Sequence, residues 1–80
     1  MNLMIYQIKI IDGDVWWLVD GKLHRLDGPA IESANGDRYW VVDGKYHRLD
    51  GPAAEYTNGD LAWFVDDKRL TESEFNDLSN

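Results

Sequence analysis

The sequence predicts a mainly β protein: an antiparallel meander of short β-hairpin repeats in a single twisted sheet, with a short C-terminal capping helix. The first reason is a repeat, because WLVDGKLHRLDGPA from Trp17 recurs as WVVDGKYHRLDGPA from Trp40, and WFVDDK from Trp63 begins a third copy. The three tryptophans are 23 residues apart, a period typical of stacked or meandering repeats. The second reason is the regular recurrence of Asp-Gly and Asn-Gly pairs between apolar segments, which favours β-hairpins.

The chain of 80 residues is long enough for one small domain, 1–80. Its first element is an alternating, β-branched N-terminal strand, 3–11, and Asp12-Gly13 then predicts a type I′ turn. The remaining parts are repeat 1 at 17–39, repeat 2 at 40–62, a partial repeat 3 at 63–70 and a C-terminal helix at 72–78.

Each repeat contains a long strand and a shorter one. Residues 15–19 predict the long strand, with equivalents at 38–42 and 61–65, and an Asp-Gly or Asp-Asp pair closes each. Shorter strands are expected at 22–26 and 45–49. Each ends at Asp-Gly-Pro, where proline removes a backbone donor, so the sheet must bend or break there. Residues 30–34 and 53–57 then run extended into the next Asn-Gly turn.

Alternation within the long strands places Trp17, Trp40 and Trp63 on one face of the sheet, beside Val19, Val42 and Val65. The opposite face carries the pairs Trp16 and Leu18, Tyr39 and Val41, and Ala62 and Phe64. Both faces are therefore apolar, and a single short sheet cannot cover both. We expect curling of the sheet, the C-terminal helix or a second subunit to cover the remainder.

The third copy departs from the pattern after Lys68, with Asp67 in place of Gly44, Leu70 in place of His47 and Thr71 in place of Arg48. Thr71 and Glu74 have the spacing of a capping box, so they predict a helix start. Phe75 and Leu78 would share one face of this helix and pack against the last strand. The helix then acts as a terminal cap of the repeat array.

Composition limits the classes of partner. Fifteen acidic residues against eight basic ones give a net charge of −7, which repels phosphates and anionic lipids and favours a basic partner. We therefore expect neither direct nucleic-acid binding nor membrane binding. The chain has no cysteine, no apolar run long enough to span a bilayer and no N-terminal signal-peptide pattern, so a cytoplasmic location is expected.

The most distinctive polar motif is His-Arg-x-Asp, at His24, Arg25 and Asp27 and again at His47, Arg48 and Asp50. It could place a histidine base beside an orienting aspartate, or it could form a turn-bracing network. Its duplication argues against catalysis, because an active site is normally assembled once, and no nucleophile or cofactor loop accompanies it. We predict a non-enzymatic protein without a cofactor, in which these six residues and the three repeated tryptophans are structural.

Two other kinds of site are weighed and set aside. The Asp- and Asn-rich turns suggest calcium ligands, but these residues stand where hairpins require them, and no spaced carboxylate loop is present. The tryptophan row could stack on a sugar or a base, but a tryptophan repeated on one face is more often part of the core.

Function is expected at positions that differ between repeats, because the repeated residues hold the fold. Tyrosine, tryptophan and arginine are favoured at protein interfaces, and carboxylates at turns could present an anionic surface. The candidate partner-binding residues are Trp16, Arg38, Tyr39, Tyr46, Tyr56, Asp66, Asp67, Glu72, Glu74 and Asp77. The alternative is that these side chains form an ordinary solvated surface.

The unit WxVDGKxHRLDGPAxExxNGD resembles the GKxHRxDGPA repeats of proteins from bacteriophages and large DNA viruses, from about Asp12 onward. The segment Asp67–Phe75 is similar to the closing GKxLTEEEF of those proteins. The period and Gly-Lys-x-His are more distantly similar to MORN repeats, although Arg-Leu-Asp-Gly-Pro replaces their usual His-Gly-x-Gly. The resemblance implies a row of β-hairpins and a viral origin, and no shared activity.

The leading hypothesis is a phage-encoded, non-catalytic inhibitor of a host defence system, for example an anti-CRISPR protein, that occupies a basic nucleic-acid-binding surface. Its partner would be a host protein of a nucleic-acid-handling defence complex. The alternative is a structural, assembly or oligomerisation module of a phage, including a homodimer through an apolar sheet face. An enzyme that uses His24 or His47 is the third hypothesis.

Overall fold

A computed structural model describes residues 4–78 and contains, within them, ten strands and one helix. The elements are β1 Gln7–Ile11, β2 Asp14–Val19, β3 Lys22–Leu23, β4 Ile31–Glu32, β5 Arg38–Tyr39, β6 Val41–Val42, β7 Lys45–Tyr46, β8 Ala54–Glu55, β9 Leu61–Val65, β10 Lys68–Leu70 and α1 Glu72–Asp77. The prediction of a mainly β antiparallel meander with a short C-terminal helix is confirmed.

The strands follow one another across a thin sheet. Their order is β1-β2-β4-β5-β8-β9-β10, β3 pairs with the end of β2, and β6 with β7 forms a separate two-stranded hairpin. Every pairing is antiparallel. The shortest dimension is 16 Å, against 36 Å and 34 Å for the other two, so the molecule is a single layer with side chains on both sides.

Two kinds of turn connect the strands. Asp12 and Gly13 both have positive φ, 51° and 87°, as the predicted type I′ turn requires. At the equivalent Asn-Gly pairs only the glycine does, with φ 99° at Gly36. There the Gly36 N–H donates to the Ser33 carbonyl, which gives a three-residue loop with glycine in the left-handed region. Positions that correspond in sequence therefore form different turns.

Two predicted strands are longer than the observed ones. The N-terminal strand begins at Gln7 rather than at residue 3, which lies outside the described residues, because its pairing ends where Gln7 meets Leu18. The strand predicted at 38–42 is interrupted at Trp40. The equivalent β2 is continuous because β1 pairs with it from Asp14 to Leu18, whereas β4 faces only the first two residues of 38–42.

The remaining corrections concern segments that leave the sheet early. The predicted strands 22–26 and 45–49 end at Leu23 and Tyr46, and from Arg25 and Arg48 onward the backbone bonds to the following repeat. For example, the Arg25 N–H donates to the carbonyl of Val41 in the following repeat. Of the segments 30–34 and 53–57, which were expected to run extended, only β4 and β8 pair as strands, and the helix predicted at 72–78 ends at Asp77.

The core is small and consists largely of alanine. Its buried apolar residues are Leu18, Ala30, Val41, Ala53, Ala54 and Ala62. Ala30 and Ala53 close the two DGPA segments and are fully buried. Their carbonyls accept the backbone N–H groups of Trp17 and Trp40, at 2.8 and 2.7 Å. Each DGPA segment thus returns the chain to the tryptophan that begins its own repeat.

Within residues 4–78, α1 is the only helix, and it is far too short and polar to cross a membrane.

Candidate functional site

Each complete repeat folds its arginine over its own tryptophan. The guanidinium carbon of Arg25 lies 3.8 Å from the ring centroid of Trp17, and Arg48 lies at the same distance from Trp40. A guanidinium over an indole face is a cation–π contact, and it also covers apolar surface. In repeats 1 and 2, the tryptophan predicted on this sheet face is therefore covered by an arginine of the same repeat. Assigning residues to the two faces of the sheet did not predict this cover.

The arginines are held in place by their own loops. The Arg25 Nε donates to Asp27 at 3.1 Å, and its Nη1 donates to the Pro29 carbonyl at 3.2 Å. In repeat 2 the Arg48 Nε reaches Asp50 at 2.9 Å, and its Nη1 reaches the Pro52 carbonyl at 3.0 Å.

The glycine of each Asp-Gly-Pro makes this arrangement possible. A Cβ at Gly28 would lie 2.8 Å from the Arg25 guanidinium carbon, and one at Gly51 would lie 2.9 Å from that of Arg48. The HRLDGP segment is therefore a compact brace in which the arginine is held by the aspartate and by a backbone carbonyl of the same loop.

The histidines connect one repeat to the next. The Nδ1 of His24 accepts the backbone N–H of Asp43 at 3.0 Å, and the Nδ1 of His47 accepts that of Asp66 at 3.1 Å. An accepting Nδ1 places the proton of the neutral ring on Nε2. Since both histidines hold the Asp turn of the following repeat, they are latches between repeats, and neither is arranged as a base beside its own Asp27 or Asp50.

The third copy replaces the arginine with the helix. Thr71, at the position of Arg48, caps α1: its hydroxyl accepts the Glu74 N–H at 3.1 Å, and the Glu74 carboxylate accepts the Thr71 N–H at 2.9 Å. These bonds lower the pKa of Glu74, the backbone N–H of Thr71 being the main cause. Phe75 then lies 6.5 Å from Trp63 between ring centroids, where an arginine covers the other two tryptophans.

Three of the predicted partner-binding residues come together on the opposite face of the sheet. Tyr39 contacts Tyr46 and Tyr56, with ring centroids 6.2 and 5.9 Å apart, and Tyr46 contacts Phe64 at 5.2 Å. We call Tyr39, Tyr46, Tyr56 and Phe64 the tyrosine face. Tyr46 and Tyr56 are exposed, whereas Tyr39 and Phe64 are half-buried. A cluster of partly exposed tyrosines has the composition that protein interfaces favour.

Carboxylates border the tyrosine face. The Asp67 Oδ1 accepts the Tyr46 backbone N–H at 2.7 Å, which places this carboxylate next to the backbone of Tyr46. Asp37 accepts the Thr57 N–H at 2.9 Å, and this bond is the main reason that the pKa of Asp37 is lowered. Asp37 also hydrogen-bonds Tyr39, and burial, followed by the charge of Asp37, raises the pKa of the Tyr39 hydroxyl. The face thus combines aromatic side chains with neighbouring carboxylates.

The other predicted partner-binding residues are outside the tyrosine face as defined, although Trp16 is on the same side of the sheet, because it pairs with Ile31, which pairs with Tyr39. Trp16 is half-buried, and its indole Nε1 is buried without a partner among the described residues. Arg38 is opposite Glu32 and Glu55 in the strand register, and it follows the face opposite to Tyr39. Asp66 is exposed in the turn next to Asp67.

The acidic tail is also separate from the tyrosine face. The helix α1 packs through Phe75 on the tryptophan face, so Glu72, Glu74 and Asp77 do not border the tyrosines. The ten predicted residues therefore do not form one patch.

Phe64, which belongs to the tyrosine face, and Asp37, which borders it, were not among the predicted partner-binding residues. Phe64 occupies the strand position equivalent to Leu18 and Val41, so the period classified it as a packing residue. Asp37 belongs to the Asn-Gly-Asp turn and was interpreted as turn chemistry. Strand alternation places Phe64 on the face of Tyr39 and could have identified it.

In residues 4–78, no group of three or more histidine, aspartate or glutamate side chains is close enough to hold a metal ion. Comparison of the chain with protein-family models, with curated proteins and with solved structures finds no match to any of them.

Proposed function

We propose that the protein is a small, acidic, non-catalytic binding module that attaches to a basic surface of another protein through the tyrosine face. The observation that carries this proposal is the meeting of Tyr39, Tyr46 and Tyr56, which differ between repeats, with Asp37 and Asp67 at their border. Interfaces are enriched in tyrosine, and carboxylates around an aromatic centre favour a partner rich in lysine and arginine.

The more specific form of the proposal is inhibition of a host defence system by a phage-encoded protein, for example an anti-CRISPR protein. A net charge of −7 on 80 residues would favour binding to a positively charged partner surface that normally holds nucleic acid. The carboxylates at the turns would then take the place of phosphates, and the phenols would supply apolar contact area. The protein would act by occupancy, with no reaction.

A charge-matched comparison tests this. The variant Asp66→Asn with Asp67→Asn removes the charge of Asp67, which accepts the Tyr46 N–H, and that of its neighbour Asp66. Asparagine tolerates the positive φ of 50° and 66° at these positions. The control, Asp12→Asn with Asp20→Asn, removes two charges from turn positions of similar φ, 51° at each, in the N-terminal half.

The measurement is capture of nucleic-acid-binding proteins from a bacterial lysate, followed by competition with double-stranded DNA. We expect the wild type and the control to retain the same proteins, DNA and salt to displace them, and the Asp66/Asp67 variant to lose most of the signal. Retention by the Asp66/Asp67 variant, or binding that ignores both salt and DNA, would contradict the proposal.

A second candidate function, assembly through an apolar edge, is favoured by β1. This strand lies at one end of the sheet order, and Ile8 and Ile10 on one of its faces are 54% and 74% exposed. An exposed apolar edge strand is a template for pairing with another chain. Light scattering at micromolar concentration distinguishes the two candidates: an assembly module forms dimers or larger species that Ile10→Lys abolishes, whereas a monomer at all concentrations counts against this function.

A further inference from the structure

The outer edge of β1 carries unpaired backbone groups. Ile8 lies opposite Trp17 in the pairing of β1 with β2. The Trp17 N–H donates to the Ala30 carbonyl, and the Trp17 carbonyl accepts the His24 N–H, so both groups point away from β1. Ile8 and Trp17 are therefore a non-hydrogen-bonded pair, and the N–H and C=O of Ile8 and Ile10 point to the outer edge. Among residues 4–78, these outward groups have no backbone partner.

The side chains along this edge are apolar and poorly covered on both faces of the sheet. Ile5 is 75% exposed and Ile11 is 43% exposed, in addition to the exposed Ile8 and Ile10. Alternation along the strand places Ile8 and Ile10 on the tryptophan face and Ile11 on the opposite face. A strand that pairs with this edge would therefore cover isoleucine on both faces as well as the backbone.

Charge favours a second copy of this chain at the edge. Residues 1–11 contain one charged side chain, Lys9, and no acidic side chain, although the whole chain has a net charge of −7. Two copies can therefore approach each other at β1 without bringing their carboxylates together. The other outer strand, β10, carries Lys68 and Arg69, so a pairing of β10 with β1 would bring three basic side chains together. Another β1 is the better partner for β1.

We propose that β1 pairs with β1 of a second copy, antiparallel and about a two-fold axis at Ile8, so that two sheets become one. This inference rests on the second candidate function, assembly through β1, and specifies its partner and its register. At the axis, the Ile8 N–H of each copy donates to the Ile8 carbonyl of the other. The tyrosine face has no part in this pairing.

The axis at Ile8 gives every exposed isoleucine of the edge an apolar partner. Ile8 faces Ile8 of the other copy, Ile10 faces Tyr6, and Ile11 faces Ile5. Tyr6 is already fixed within its own chain, because its ring packs against Trp17 with centroids 5.3 Å apart. Directly opposed apolar side chains are the pairs that stabilise antiparallel strands.

Lys9 excludes the neighbouring symmetric registers. With the axis at Ile8, Lys9 faces the neutral amide of Gln7. An axis at Gln7 or Ile10 would place Lys9 opposite an isoleucine, and an axis at Lys9 would place the two lysines opposite each other. Like charges in directly opposed positions destabilise a strand pair.

The test uses single cysteines, because the chain has none of its own. Ile8→Cys places two thiols opposite each other at the axis, where a Cα separation of about 5.5 Å permits a disulfide. Ile10→Cys is the matched control: it is on the same face and more exposed, but its two thiols would lie about 13 Å apart along the strands. Under mild oxidation we expect Ile8→Cys to form the disulfide-linked dimer severalfold faster than Ile10→Cys.

Light scattering of the wild type separates this inference from the function on which it rests. A dimer joined by one short strand buries little surface, so the measurement extends to millimolar concentration. A wild type that stays monomeric would overturn both the assembly function and the β1 pairing. Dimers in which Ile10→Cys links faster, or in which a disulfide forms only when the two variants are mixed, would overturn the register and leave assembly standing. Equal rates for the two variants would overturn the pairing as well.

A proline variant provides a second measurement that needs no disulfide. The Ile10 N–H points to the outer edge, so Ile10→Pro leaves the bonds between β1 and β2 intact and removes a donor from the dimer. We expect Ile10→Pro to be monomeric with an unchanged circular dichroism spectrum, whereas the control Ile10→Val stays dimeric. A dimer that persists in a folded Ile10→Pro variant would overturn the proposal.

Discussion

Repeats 1 and 2 share their brace and their latch, but they differ in what surrounds them. The arginine–tryptophan distances are identical at 3.8 Å, and the histidine latches differ by only 0.1 Å, with 3.0 Å at His24 and 3.1 Å at His47. However, Tyr6 covers Trp17, and the side chain of His24 is 8% exposed against 23% for His47. The comparison separates local geometry, which the repeated residues determine, from burial, which depends on the neighbouring segments.

The largest expected effects on the free energy of unfolding are those of replacing the tryptophans. We expect Trp17→Ala to lower the free energy of unfolding by about 3 kcal/mol and Trp40→Ala by about 2 kcal/mol, because Trp17 loses the contact with Tyr6 as well as that with Arg25. Urea denaturation followed by tyrosine fluorescence and circular dichroism measures both. Tyr6→Ala should lower the free energy of unfolding only slightly further in the Trp17→Ala variant. In the Trp40→Ala variant it should lower it by its full amount. Equal costs in the two backgrounds would mean that Tyr6 does not act through Trp17.

Replacing the histidines should have smaller effects than replacing the tryptophans, and the effect should again be larger in repeat 1 than in repeat 2. The bond at His24 is partly buried and that at His47 is exposed, so water can replace the acceptor only at Asp66. We expect His24→Ala to cost about 2 kcal/mol and His47→Ala about 1 kcal/mol at neutral pH. Chemical denaturation with circular dichroism provides the values.

A matched variant separates the lost acceptor from lost packing. His24→Asn keeps an acceptor near the position of Nδ1 and should recover part of the stability that His24→Ala loses. If Asn and Ala are equally destabilising, the imidazole acts by filling space, and the latch is incidental.

The smallest effect is expected at Asp37, which connects repeat 1 to Thr57 in repeat 2. Its pKa is lowered below the ordinary 3.8, mainly by the Thr57 N–H. A lowered folded-state pKa stabilises the fold at pH values above the unfolded-state pKa, and this contribution disappears as the pH falls through the folded-state pKa.

Asp37→Asn should therefore lose stability at neutral pH and show a weaker loss on acidification than the wild type. Urea midpoints at pH 7 and pH 3, with Asp20→Asn as the control for net charge, measure this. A wild-type acid dependence retained in Asp37→Asn would refute the assignment.

The sequence predicted the features that depend on neighbours in the chain. The type I′ turn at Asp12-Gly13 follows from the need for positive φ, and the capping box of Thr71 and Glu74 follows from spacing alone. Strand alternation also assigned Trp17, Trp40 and Trp63 to one face and Tyr39 to the other. These features require only local geometry, so one sequence was sufficient.

The features that the sequence did not predict depend on contacts between distant segments. The acceptor role of His24 requires the position of the Asp43 turn, 19 residues later. The cover of Trp17 by Tyr6 comes from outside the repeat, so the period gave no indication of it. The break at Trp40 depends on how far the neighbouring strand extends. Separation of the acidic tail from the tyrosines depends on which face α1 covers, and composition carries no information about that.

The bonds between repeats have a consequence for how the chain folds and grows. The Arg25 N–H reaches Val41, and the Arg48 N–H reaches Phe64, so each repeat is tied to the next one along the chain. A protein whose repeats contact only the adjacent repeats has a low contact order, and its stability increases with each added repeat. Insertion of another 23-residue copy before Trp40 would create a new brace and a new latch without rearranging those already present. Gene duplication can therefore lengthen this protein without a redesign of its core.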